Sequence, residues 1–385
     1  MMTVGALVAL AKNKKGGILL KFSCDKRELI SALGVVLKAV PAKTTMPILE
    51  CIKISTHEIS INLSSNDMEF AIESSCTGYI EESGAVCVDA KLFNEIVRKL
   101  PDGEIHFNVD EVYQITIKCG KAKFQIPGKD ASQFPDIPDV DDGILFEIAQ
   151  PVFKDIIMKT IFCAAVNDSN KVLTGEYIEV DNNTLKCVAL DGHRIGIKAT
   201  KIEGHFSKAG FIVPGRSISE IAKSLNGGMN DKVYVTFTED HAMFETSESA
   251  YVVRLISGKY FDYAKLERAD FATKIYADRD DMLSTVNRCS VLIREGDRKP
   301  LVCDIKGDIA TLSVTTTLGK VTEDIEIENE GQDFKIGMNA RFILEALNAI
   351  DDNEIEMRFV SPKSPIYITK DDEDYTYIVL PVNLA

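Results

Sequence analysis

The sequence predicts an α+β protein made of three tandem copies of one unit, each with two helices and antiparallel sheets. Three observations carry that prediction. A short strand, a turn with one basic residue and an amphipathic helix recur as Gly84–Leu100 (GAVCVDAKLFNEIVRKL), Ala209–Leu225 (AGFIVPGRSISEIAKSL) and Gln332–Ile350 (QDFKIGMNARFILEALNAI). Their basic residues, Lys91, Arg216 and Arg341, stand at a constant interval of 125 residues, as do the closing aliphatics Leu100, Leu225 and Ile350. Between the helices lie alternating apolar and polar segments, the period-two pattern of half-buried strands. A fixed period of self-similarity marks a repeat architecture before it marks an enzyme.

Each unit opens with a strand and a capped helix: LLKFSCDKRELISALGVVL, LFEIAQPVFKDIIMKTIF and ATKIYADRDDMLSTVNRCSVLI. Asp25, Gln150 (with Pro151 at the first helical position) and Asp278 are the expected N-caps. In the first helix Leu29, Ile30, Leu33, Leu37 and Val40 form the expected core stripe, with Arg27, Ser31, Gly34 and Lys38 opposite. Strand patterns follow in ILECIKIS, ISINLSSNDMEFAIES, YIEVDNNTLKCVALD and VCDIKGDIATLSVTT, with hairpin turns signalled at Asn182–Asn183 and Lys306–Gly307. Further strands, EIHFNVDEVYQITIKC and KVYVTFTEDHAMFET, come after the second helices. Runs of strands separated by single helices suit antiparallel sheets with helices on one face.

Turn-rich and acidic segments at Ser132–Gly143 and Lys259–Asp270 place the domain boundaries at 18–142, 143–266 and 267–385. Residues 1–17 match the start of neither later unit and read as a disordered extension or the product of an upstream start. Their apolar run Val4–Ala11 is too short to span a membrane, and lysines follow it rather than precede it, the reverse of a signal peptide.

Composition narrows the function. The 385 residues carry 44 basic against 59 acidic side chains, a net charge of −15, which argues against non-specific coating of nucleic acid but leaves room for a basic lining inside an acidic shell. Nine cysteines without C-x-x-C spacing, and five histidines without H-E-x-x-H, read as reduced buried thiols with no zinc site and no cofactor. The acidic run Asp139–Asp142 fails the ligand spacing of an EF-hand and reads as a solvated linker.

Two features invite a functional reading. The hexamer LDGHRI (Leu190–Ile195) gathers Asp191, His193 and Arg194; a turn into the next strand is the simpler reading, and a hydrolytic site the alternative. No G-x-S-x-G, P-loop or G-x-G-x-x-G pattern accompanies it. Lys91, Arg216 and Arg341 sit near helix N-termini, where positive charge opposes the macrodipole, a recurrence that suggests a nearby anion such as DNA phosphate. The terminus YTYIVLPVNLA is apolar to its end, as a final strand or as the wall of a partner groove.

The three-fold unit, MPILECIKIS (Met46–Ser55), FPDIPD (Phe134–Asp139), LDGHRI and the ending YIVLPVNL together resemble the β subunit of bacterial DNA polymerase III, the sliding-clamp family, from about Leu19 to Leu384. The resemblance implies a non-catalytic processivity factor in the cytoplasm, at the nucleoid. It implies three clamp domains per chain and a head-to-tail homodimer ringed around double-stranded DNA without sequence preference. It further implies short-peptide partners: the polymerase III alpha subunit, the clamp loader, other polymerases and repair proteins, with no membrane partner.

Carried across by motif, the partner cleft would comprise Leu173, Leu190, Gly192, His193, Arg194, Ile195, Phe261, Lys265, Leu266, Asn339, Phe342, Ile366, Ile378, Val379, Leu380, Pro381, Val382 and Leu384. Phe261 stands where many members have proline, and Asn383 where a basic residue is common. DNA contacts would come from Arg27, Lys38, Lys91, Arg98, Lys154, Arg216 and Arg341 on helices and from Lys43 and Lys171 in loops. At the seam between subunits, Phe124 and Ile126 would meet Val291 and Leu292, while Lys121 and Lys123 face the acidic run that includes Glu323 and Glu326. A scaffold that binds peptides without DNA is a third reading.

Overall fold

The computed structural model describes residues 20–266, 270–294, 299–369 and 375–384. The extension expected at residues 1–17 lies outside them. Among the described residues there are six α-helices: α1 (Lys26–Val36), α2 (Ala90–Lys99), α3 (Gln150–Met158), α4 (Gly215–Ser224), α5 (Arg279–Ser290) and α6 (Ala340–Ala349). Four of them bury the same stripe: Leu29, Ala32, Leu33 and Val36 in α1; Ala90, Phe93, Ile96 and Val97 in α2; Met282, Thr285, Val286 and Cys289 in α5; Ala340, Ile343, Ala346 and Leu347 in α6. The spacings, i, i+3, i+4, i+7 in α1 and α5 and i, i+3, i+6, i+7 in α2 and α6, are those of one helix face lying on a core. In α1 it corrects the expected stripe, because Ile30, Leu37 and Val40 are only half-buried and the helix tightens into a 3-10 turn at Leu37–Ala39.

The caps follow from side-chain chemistry. Asp25 accepts from the Arg27 amide at 2.7 Å, and Asp278 from the Asp281 amide at 2.9 Å. Gln150 departs from expectation. Its side-chain oxygen accepts from the Gly227 amide at 2.8 Å and so fixes a distant loop. Lys26, the first residue of α1, is buried and donates to the Leu100 carbonyl at 2.5 Å, closing the C-terminal end of α2.

The chain divides into two compact units. The first, up to Phe153 together with Glu220–Leu255, holds a five-stranded antiparallel sheet and an eight-stranded one. The eight-stranded sheet joins strands of the first and second repeats, since Ser249–Arg254 pairs with Phe70–Thr77 in the register Tyr251 to Ile72. Phe22 stacks on Phe107 at 4.8 Å, and Phe93 meets Phe107 edge-on at 6.0 Å. In the acidic run Asp139–Asp142 the three aspartates are exposed, as expected, while Val140 is buried with Ala71 and Val252; earlier in the same segment Phe134 is buried with Cys51 and Cys87.

The second unit, Lys154–Ser219 and Ile256 onward, holds a seven-stranded sheet and a four-stranded one. The turn expected at Lys306–Gly307 is present, with Gly307 at φ 53°. The one expected at Asn182–Asn183 is not. Gly175–Leu190 runs on as one strand against Arg194–Pro214, and its register slips either side of Asn182, which sits at φ 53°. Asparagine tolerates that conformation, so the same signal that marks a turn here makes a bulge. All nine cysteines are buried and free. Among the described residues no helix is long and apolar enough to cross a membrane.

Candidate partner cleft, nucleic-acid face and strand edges

The LDGHRI hexamer forms the turn between Gly175–Leu190 and Arg194–Pro214. Asp191 Oδ1 accepts from the backbone amides of His193 at 2.9 Å and Arg194 at 3.0 Å, and Gly192 takes φ +84°. That is a left-handed conformation in which side chains are strained. Arg194 is 6% exposed, yet all three guanidinium nitrogens are engaged. Nε meets Asp191 Oδ2 at 3.1 Å, Nη2 donates to the Phe162 carbonyl at 2.6 Å, and Nη1 pairs with Glu345. The guanidinium also lies 4.4 Å over the Phe342 ring and 5.5 Å from that of Phe162. Arg194 therefore ties the turn to α6 and to the 3-10 turn Ile161–Cys163. Its carboxylate partner Asp191 is used in the turn itself, which leaves the constellation geometric rather than catalytic.

The other cleft residues fall into three groups. Leu190, Ile195 and Ile378 are buried with Tyr260, Tyr263 and Tyr367, and half-buried Leu173 and Leu266 pack against them. Ile366 and Val379 are wholly buried in the neighbouring core, so they support a surface without lining it. Exposed apolar side chains remain at Phe261, Leu380 and Leu384. Phe342 is half-buried and placed by Asn339, whose side chain caps α6 by accepting from the Arg341 and Phe342 amides at 3.1 and 3.4 Å. The His193 ring stacks on Phe342 at 6.5 Å. The side chain of Lys265 lies outside the described residues.

The tail is held by backbone. Ile195 pairs with Ile378 in the sheet, the His193 carbonyl accepts from the Leu380 amide at 2.8 Å, and the Gly337 carbonyl accepts from the Val382 amide at 2.9 Å. A Cβ on Gly337 would lie 2.3 Å from the Val382 oxygen, so only glycine lets the segment Pro381–Val382 lie this close. Sequence reasoning missed the tyrosine floor, Phe162, and the roles of Asp191 and Glu345 in holding Arg194. Glu345 also pairs with Arg341 four residues before it, an ordinary contact along a helix surface that gives no sign of the second arginine.

The basic residues divide by exposure. Arg27, Lys43, Lys91, Arg98, Lys171, Arg216 and Arg341 are exposed, while Lys38 and Lys154 are half-buried. Lys38 donates to Ser224 Oγ at 2.7 Å, and Arg341 pairs with Glu345 at 2.9 Å along α6.

Each of the four sheets ends in edge strands, two of which carry expected seam residues. Ala122–Pro127 is an edge of the five-stranded sheet, and Gly319–Glu326 an edge of the four-stranded one. Phe124, Lys121 and Lys123 are exposed on or beside the first, but Ile126, two residues beyond Phe124 and so on the same face of the strand, is buried in its own sheet's core opposite Ile115. Val291 is 77% exposed and Leu292 half-buried. Glu326 is exposed, whereas Glu323 is held by Arg288 Nε at 3.0 Å, which keeps its carboxyl below the usual carboxylate range.

Residues 20–138, 147–262 and 268–383 match, in order, the family models of the N-terminal, central and C-terminal domains of the DNA polymerase III beta subunit. The chain belongs to that family. Over 375 residues it is 28% identical to the beta sliding clamp of Staphylococcus epidermidis, spanning 94% of this chain and 99% of that one. Its fold superposes on the Bacillus subtilis DNA polymerase sliding clamp with a TM-score of 0.92 at 29% identity, covering 95% of this chain and 100% of that one. A Eubacterium rectale chain assigned as a DNA polymerase III beta subunit gives 0.91 at 39% identity, covering 95% and 99%. The α+β fold is thus three tandem clamp domains, and the protein is a processivity factor without catalytic activity.

Proposed function

We propose that two copies of this chain close head to tail around duplex DNA and tether polymerases and repair proteins through the cleft at Arg194. The domain divisions near 142/143 and 266/267 are part of that reading. Its strongest support is the cleft itself. A buried arginine braces a turn beside exposed Phe261, Leu380 and Leu384, the apolar anchors that a short extended peptide would cover. The open edges at Ala122–Pro127 and Gly319–Glu326 suit pairing between copies, with Phe124 and Val291 as apolar contacts and Lys121, Lys123 and Glu326 setting register.

Exposed Lys91, Arg216 and Arg341 suit loose phosphate contacts. A sliding ring must attract DNA without gripping it, since topology retains it. Location in the cytoplasm, at the nucleoid, follows from that function. The test is product length on a primed circle with a polymerase III alpha subunit, clamp loader and ATP. Products lengthened within one binding event support the reading, and lengths unchanged by added clamp overturn it.

A further inference from the structure

Glu176, near the start of the strand Gly175–Leu190, is 0% exposed. One carboxyl oxygen meets Thr160 Oγ1, and the other has no hydrogen-bond partner. The groups that face it are Thr160 after α3, Cys163 in the turn Ile161–Cys163, Cys187 on its own strand and Tyr260 on a later segment. Val213, apolar, pairs with it across the sheet. Each of these groups is neutral near pH 7: burial pushes both thiols up, and the Tyr260 hydroxyl donates a hydrogen bond to the Val188 carbonyl at 3.1 Å. The charges beyond Cys163 are Arg194, Asp191 and Glu345, already paired with one another.

An ionised carboxylate here would be buried without a cation and with a single donor, an expensive state. The hydrogen count points the same way. Thr160 Oγ1 lies 2.8 Å from the Ile156 carbonyl and 3.1 Å from that of Ile157, besides touching Glu176, yet it owns one proton. All contacts are satisfied at once when the carboxyl donates to Thr160 and Thr160 donates to the helix carbonyl. The residues after Thr160 form the turn that Arg194 grips: the Thr160 carbonyl accepts from the Cys163 amide at 2.9 Å, the Ile161 carbonyl from Ala164 at 3.0 Å, and the Phe162 carbonyl from Arg194.

We propose that Glu176 is a protonated carboxylic acid that donates to Thr160 and props the turn beneath Arg194, and that losing this proton in mildly alkaline solution loosens the turn. Burial raises the group to about 8, which matches this geometry. The folded value lies above the unfolded one of about 4.3, so folding takes up a proton. The stability it lends is complete below about pH 4.3 and is lost as pH rises through about 8, up to about tenfold in the folding equilibrium per pH unit. The effect on partners rests on the cleft reading above; the proton itself does not.

Infrared spectroscopy of the full chain tests it directly. Near pH 6 the wild type should show the carbonyl stretch of a buried carboxylic acid, absent from Glu176→Gln and disappearing with a midpoint near pH 8. Hydrogen exchange at the Cys163 and Ala164 amides, corrected for the intrinsic pH dependence, should rise above that midpoint in the wild type. In Glu176→Gln it should not. The wild-type spectrum and exchange decide the matter even if the variant fails to fold. No acid band at pH 6, or exchange without a step, would overturn the proposal. A band and step present while peptide binding is absent would overturn only the cleft reading.

Discussion

Glu345 holds two arginines, and they do opposite things. Arg194 meets it with a side chain 5% exposed, wedged among Asp191, Phe162 and Phe342; Arg341 meets it from the same helix with a side chain 70% exposed. Identical chemistry therefore serves as a structural brace at one end and a solvated charge at the other. Burial makes the difference. A desolvated guanidinium must have every partner in place, and so it fixes geometry, while an exposed one is solvated by water and its ion pair contributes little.

Arg194→Ala breaks this comparison most severely. It strands two carboxylates beside an apolar surface and should cost about 3 kcal/mol, read as a lower thermal midpoint together with lost binding of a cleft peptide. Gly337→Ala comes next, because its new methyl would strike the Val382 carbonyl. Displacing the tail should cost about 1–2 kcal/mol and weaken peptide binding in calorimetry more than it lowers stability. Gly192→Ala meets no neighbour within 4 Å but forces a left-handed alanine, and denaturant titration should show about 1 kcal/mol. Arg341→Ala should cost only about 0.3 kcal/mol. A double-mutant cycle should give a coupling with Glu345 several times smaller than that of Arg194. Equal couplings would dissolve the distinction between brace and solvated charge.

Some of this was legible in the sequence and some was not, for physical reasons. The Asp25 and Asp278 caps and the turn at Gly307 depend on neighbours within a few residues, and they stand in the structure as expected. Gln150 reads as a cap by position, but its oxygen reaches Gly227, a partner that only folding brings near. Asn182 offers the conformation of a turn; a long strand partner on both sides converts it into a bulge. Ile126 and Phe124 share one face of the same strand, and what packs over each, rather than the pleat, decides which one faces solvent. Pairing of Ser249–Arg254 with Phe70–Thr77 across repeats, and the burial of Glu176, are likewise set by partners far away in sequence. At the cleft, the motif marked Arg194 but not the charges that hold it.

A ring closed around DNA is held by topology alone, and cutting a loaded circle exposes that dependence. The protein is loaded onto nicked circular DNA with a clamp loader and ATP, the circle is cut, and bound protein is counted before and after. Retention on the circle followed by escape from the cut ends is the predicted result. Equal retention on circle and line would mean ordinary binding and would contradict the ring.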